Sequence, residues 1–188
     1  MNKFLILFFS LLLFGCGPSL VTTGAKTVIG QNQDEKSFGQ SWDDAAIKLG
    51  IKEKYFSYDA TLFTKIDVEV QLGVVLLTGV VPFGDMRLEA VRLAWQQEGV
   101  VEVLNEISID TGYGIDDIAK DKFISTQLFT KVLADREIKK FKYDHEVQKQ
   151  IIYLFGVSND QSEINRVIDH AKSIKGVVDV INYIQPRN

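Results

Sequence analysis

The sequence predicts an α+β protein built from two tandem αββαβ modules, each with two helices packed on a small mixed three-stranded sheet. Three observations predict it: an internal repeat, the same succession of helical and alternating apolar patterns in both copies, and a glycine closing the second helix of each. The repeat is ungapped at an offset of 77 residues. Gly99, Val100, Val101, Val103, Asn105 and Ile107 recur as Gly176, Val177, Val178, Val180, Asn182 and Ile184. Upstream, Lys65, Asp67, Glu69 and Val70 recur as Lys142, Asp144, Glu146 and Val147, and Leu77-Thr78-Gly79-Val80 recurs as Leu154-Phe155-Gly156-Val157.

The chain opens with Met1, Asn2 and Lys3, followed by an apolar run from Phe4 to Phe14 that only Ser10 interrupts. That pattern reads as a secretory signal over residues 1–15. The run is about half of the roughly 20 residues a spanning helix needs, so a cleaved signal is the better reading than a permanent span. Leu13-Phe14-Gly15-Cys16 resembles the bacterial lipobox, although Phe14 is bulkier than usual there. The resemblance implies that Cys16, the chain's only cysteine, carries acyl chains such as palmitate and becomes the first mature residue. The alternative is an ordinary signal ending at a free thiol. Each buried methylene contributes about 0.8 kcal/mol, so two or three acyl chains anchor a protein essentially permanently. Gly17 in place of Asp after the cysteine resembles the sorting signal of Gram-negative lipoproteins bound for the outer membrane.

Residues 16–40 read as the lipidated N-terminus and a flexible tether rich in Gly, Ser, Thr, Asn and Gln. The first module then spans residues 41–110, a short link residues 111–115, and the second module residues 116–186. With one cysteine no disulfide forms within the chain, so the modules must stand on their cores.

Each module begins with a helix, whose core stripe is Ile47, Ile51 and Tyr55 in the first copy and Ile124, Leu128 and Val132 in the second. A hairpin follows, with Ile66, Val68 and Val70 alternating against Lys65, Asp67 and Glu69, and then a more continuous apolar run from Val74 to Val81. Gly79 and Gly156 in the second strands mark a bulge or a close backbone approach. The second helix runs from about Asp85 to Gln97 with Met86, Ala90, Leu93 and Ala94 inward, and Asn159 or Asp160 caps its counterpart. Gly99 and Gly176 suit the helix end, where a left-handed conformation is easiest for glycine. Third strands close the modules at Val100–Ile109 and Val177–Ile184. The link Gly112-Tyr113-Gly114 allows either a rigid side-by-side pair or a hinge.

The αββαβ order, Gly79 and Gly156 on the second strands, and Gly99-Val100-Val101 and Gly176-Val177-Val178 followed by Asn105 and Asn182 resemble the BON domain. Two such domains behind a lipobox cysteine resemble the dual BON-domain outer-membrane lipoproteins, over nearly all of the mature chain. The resemblance implies a non-enzymatic protein facing the periplasm that supports envelope integrity and binds anionic phospholipid through the first helix of its second domain. The hairpin bends, Leu72-Gly73 and Lys149-Gln150, depart from the common Asn-Gly pattern.

Charge points to the same copy. Residues 42–110 hold 6 Lys and Arg against 12 Asp and Glu, whereas residues 116–188 hold 12 against 11. A basic residue near a negative membrane adds on the order of 1 kcal/mol and an acidic one opposes it, so the second copy is the one suited to anionic lipid. At about 100° per residue, Phe123 falls outside the stripe of Ile124, Leu128 and Val132. Lys120 and Lys122 flank it, and the first copy has only Ala46 there. The lipid-binding members carry a Trp at the corresponding position; Phe lacks the indole N–H that favours the interface, so weaker binding is expected. Packing of Phe123 on the other domain is the competing reading, and Asp116, Asp117 and Asp121 oppose lipid contact.

No phosphate-cradling glycine loop, cysteine nucleophile or metal-ligand spacing appears, and no cofactor is implied. His145 falls on a strand alternation with Tyr143 and Val147, and His170 follows Asp169 late in a helix; both read as structural or solvated. A pI near 5.2 lacks the basic footprint of a nucleic-acid binder. A protein adaptor docking on an envelope assembly, by strand addition at a sheet edge, remains the alternative function.

Overall fold

The computed structural model describes residues 33–138 and 143–186. The signal segment, Cys16 and the start of the tether lie outside the described residues. The expected tether to residue 40 is shortened, because helix α1 already begins at Gln33 and runs to Tyr58. The order continues with α2 (Ala60–Lys65), β1 (Ile66–Gln71), β2 (Val74–Val81), α3 (Gly84–Trp95), β3 (Glu102–Asn105) and β4 (Ser108–Ile109). The second copy holds α4 (Ile115–Ala134), β5 (Tyr143–Gln148), β6 (Ile151–Val157), α5 (Gln161–Lys172) and β7 (Asp179–Gln185).

The repeat offset carries the strand register. Ile66 pairs with Gly79 and Tyr143 with Gly156 in the two antiparallel hairpins; Val74 pairs with Glu102 and Ile151 with Asp179 in the parallel ladders. The first copy departs from the expected three strands and two helices in two ways. Its last strand breaks after Asn105 and resumes as β4 beside Val80 and Val81, where β7 is continuous. The short α2 is nucleated by Asp59, whose carboxylate accepts from Thr61 N at 2.5 Å, and it places Leu62 in the core.

Each sheet buries both faces, which explains the continuous apolar run of its middle strand. On β2, Val75 and Leu77 join Ile47, Ile51, Tyr55, Ala90, Leu93 and Ala94 under the helices, while Val74 and Leu76 point to the opposite face. On β6, Ile152 and Leu154 meet Ile124, Leu128, Val167 and Ala171, while Tyr153 and Phe155 point away. The outer sets close on each other: Val74, Leu76, Tyr153 and Phe155 form one cluster, rimmed by Leu104, Ile151, Ile181 and Tyr183. The two copies therefore pack sheet to sheet with helices outside, and the link leads into a side-by-side pair. Residues Gln33–Asn188 form one compact unit that holds all three clusters, none of whose members precedes Ile47.

Polar clasps fix this packing. Gln148 is buried, and its carboxamide sits where the first copy's ladder is broken: Gly79 N donates to its Oε1, and its Nε2 donates to Glu106 O at 3.2 Å and to Ser108 Oγ at 2.7 Å. Tyr183 Oη donates to Glu106 Oε1 at 2.5 Å, and Lys149 pairs with Asp110 at 2.7 Å. Gly79 has φ +131°, and a Cβ there would lie 2.1 Å from the Lys65 carbonyl oxygen, the close approach expected of that glycine.

Candidate functional site

Helix α4 carries apolar side chains on two sides. Ile124 and Leu128 face the core with Val132 packed beside them, as the spacing predicts. Facing out are Ile115, Ile118, Phe123, Phe129 and Leu133, a denser exposed apolar surface than any other helix of the described residues presents. Phe123 is 66% exposed and touches neither core nor first copy strongly enough to be covered. A fully amphipathic surface helix would put polar residues there.

The three expected contact residues are separated by the helix. Lys120 lies on the side of Phe123 and pairs with Asp117 at 3.1 Å. Lys122 instead lines a groove of about 320 Å³ between the copies, together with Lys65, Asp67, Tyr113, Ile118, Glu146 and Gln148. Glu146 there has its carboxyl pushed up to about 7, first by burial and then by the charges of Asp67 and Glu69.

Asp121, counted from sequence as an acid opposing lipid contact, is removed from the surface. It is buried, and its two carboxylate oxygens accept from Lys149 N and Gln150 N at 2.7 Å each, with Tyr113 Oη donating at 2.6 Å. The turn it holds has φ of 52° at Lys149 and 64° at Gln150, a left-handed pair that glycine or asparagine usually fills. Asp44 repeats the device in the first copy, accepting from Leu72 N and Gly73 N at 2.9 Å each. The sequence reading missed this clamp, although Asp44 and Asp121 stand at the repeat offset.

The helix-ending glycines adopt the expected conformation, with φ of 89° at Gly99 and 96° at Gly176. Gly156 keeps positive φ like Gly79. His145 Nε2 lies 3.0 Å from Ser125 Oγ, and burial pushes its pKa down; His170 Nε2 lies 2.8 Å from Asp135. Among the described residues, no group of three or more His, Cys, Asp or Glu could hold a metal ion, and no helix is long and apolar enough to cross a membrane.

Two αββαβ modules packed sheet to sheet, the second presenting an exposed apolar helix, define a tandem-module α+β protein. The BON domain model matches residues 43–111 and 120–188, and the chain belongs to the BON-domain family. It is 40% identical, over 76% of its length and 94% of the other, to an uncharacterised protein in the gshII 5′ region of Anaplasma centrale. It is 29% identical to the outer membrane lipoprotein DolP of Haemophilus influenzae, covering 92% of this chain and 89% of that one. It is 28% identical to the osmotically-inducible protein Y of Escherichia coli, covering 79% and 75%.

Proposed function

We propose that this chain is an outer-membrane lipoprotein facing the periplasm, anchored through acylated Cys16, whose second BON domain binds anionic phospholipid through α4 and so supports envelope integrity. The observation that carries the reading is the outward apolar surface of α4, on one flank of which the exposed Phe123 stands with Lys120 beside it. Similarity to an outer membrane lipoprotein over nearly the whole chain supports the location.

A tethered module needs little intrinsic affinity. Once the acyl chains hold the protein, the domain meets the bilayer at an effective concentration in the millimolar range, so a weak contact stays occupied. Inserting the Phe123 ring removes an apolar side chain from water, worth about 1.5–3 kcal/mol when complete. Copy one carries the acidic balance and Ala46 at the same position, so it stays off the lipid.

Flotation of residues 17–188 with vesicles tests the reading. Binding is expected on vesicles containing phosphatidylglycerol, not on phosphatidylcholine alone, and Phe123→Ala weakens it about tenfold. A wild-type fragment that stays unbound on both overturns it. The protein-adaptor reading draws on Leu49, Phe56, Leu88 and Trp95, exposed on α1 and α3. Crosslinking in intact envelopes that traps a protein on that face, with no vesicle binding, would favour it.

A further inference from the structure

The apolar surface of α4 has two flanks of opposite electrostatic character. On one, Phe129 and Leu133 border a groove of about 300 Å³ whose other walls carry Glu69, Asp144, His145 and Glu146. The other flank carries Phe123 and Lys120.

The first copy shows what adjoins that second flank. Asp43 and Ala46, the equivalents of Lys120 and Phe123, line a groove of about 520 Å³ together with the turn Leu72-Gly73 and with Glu98 and Val101 from the loop after α3. In the second copy the same three segments are tied together. Asp121 of α4 accepts from Lys149 N and Gln150 N, and Val178 N donates to Gln150 O at 2.9 Å.

The repeat replaces the chemistry of this pole while keeping its backbone. Asp43 becomes Lys120, Ala46 becomes Phe123, Leu72 becomes Lys149 and Glu98 becomes Lys175, while Val101 stays valine at Val178. Three lysines thus surround two exposed apolar side chains, Phe123 and Val178, the latter 71% exposed. Lys120 and Lys149 pair with Asp117 and Asp110, but both pairs are solvent-accessible and exchange readily for another anion.

We propose that the second BON domain sits on anionic phospholipid rolled about the α4 axis toward this pole, so that Lys149, Lys175 and Val178 meet the lipid beside Phe123 and Lys120, while Phe129 and Leu133 stay off it. This rests on the phospholipid reading above and fixes its orientation. The opposite roll would press Glu69, Asp144 and Glu146 toward a negative surface. Each lysine brought to such a surface strengthens binding about fivefold, and each carboxylate weakens it similarly.

The fragment of residues 17–188 has no cysteine, so single labels are unambiguous. Val178→Cys and Leu133→Cys, each carrying an environment-sensitive dye, are mixed with vesicles of phosphatidylglycerol and phosphatidylcholine and floated in parallel. The dye at 178 is expected to shift to the blue while the dye at 133 does not, and Lys175→Glu is expected to weaken flotation at least fivefold. Flotation with no shift at 178, or with equal shifts at both sites, overturns the roll and leaves lipid binding standing. Absence of flotation overturns both.

Discussion

Replacing Asp121 with alanine strips the acceptor from two backbone N–H groups at once, in a turn whose left-handed residues, Lys149 and Gln150, have no glycine to relieve them. A hydrogen bond to a charged group contributes about 1.5–3 kcal/mol net, and water reaching the exposed rim of the turn recovers part of two such bonds. The expected loss is about 3 kcal/mol, which at a urea slope of about 2 kcal/mol per molar moves the midpoint by roughly 1.5 M. Asp121→Asn recovers less than half, because its amide keeps one acceptor and turns a donor against the other N–H. Both tryptophans, Trp42 and Trp95, fall in sequence within the first module, residues 41–110, so fluorescence follows the first copy while far-UV dichroism follows both. Amide exchange at Lys149 and Gln150 reads the clamp directly and should accelerate in the alanine variant. A midpoint change below about 0.3 M with unchanged exchange would refute the clamp as a source of stability.

Gly79→Ala forces a Cβ against the Lys65 carbonyl at a positive φ, and thermal melting should show a loss of about 3 kcal/mol or more. Glu146 has its pKa raised to about 7, so its contribution to stability is complete below the ordinary carboxylate range and is lost as pH rises through about 7. Stability measured by denaturation between pH 5 and 8 should therefore fall less steeply with rising pH for Glu146→Gln, by about 3 kcal/mol at most. Phe155→Ala empties the seam between the sheets at a cost of about 3–5 kcal/mol, and the Gly79 amide, bonded across that seam to Gln148, should lose exchange protection with it. Phe123→Ala, by contrast, should leave stability within about 0.5 kcal/mol, because the ring covers no core.

The repeat made most of the fold legible, since one offset places both hairpins and both parallel ladders in the same register. Helical spacing likewise placed Phe123 outside the core stripe. What escaped depends on contacts between segments distant in sequence. The continuous run Val74–Val81 signals burial on both faces, yet nothing in it says that the second cover is Tyr153 and Phe155 of the other copy. Asp121 is an acid in the first turns of a helix, a place where charge usually faces water, and only the hairpin folding back over it turns it into a buried acceptor. Gln148 has a polar side chain at a strand end, and its role as the clasp at the β3–β4 break needs the sheets docked. Lys122 neighbours Phe123 in sequence, but one residue of helix turns it into the groove between the copies.

Whether the ring at position 123 enters a bilayer can be read by emission. Phe123→Trp, compared with the parent fragment to subtract Trp42 and Trp95, is mixed with vesicles whose acyl chains carry bromine as a quencher. The difference emission is expected to shift to the blue and to be quenched on phosphatidylglycerol vesicles, with neither change on phosphatidylcholine. An indole at 123 that keeps a water-like, unquenched emission on anionic vesicles would contradict a lipid-binding α4.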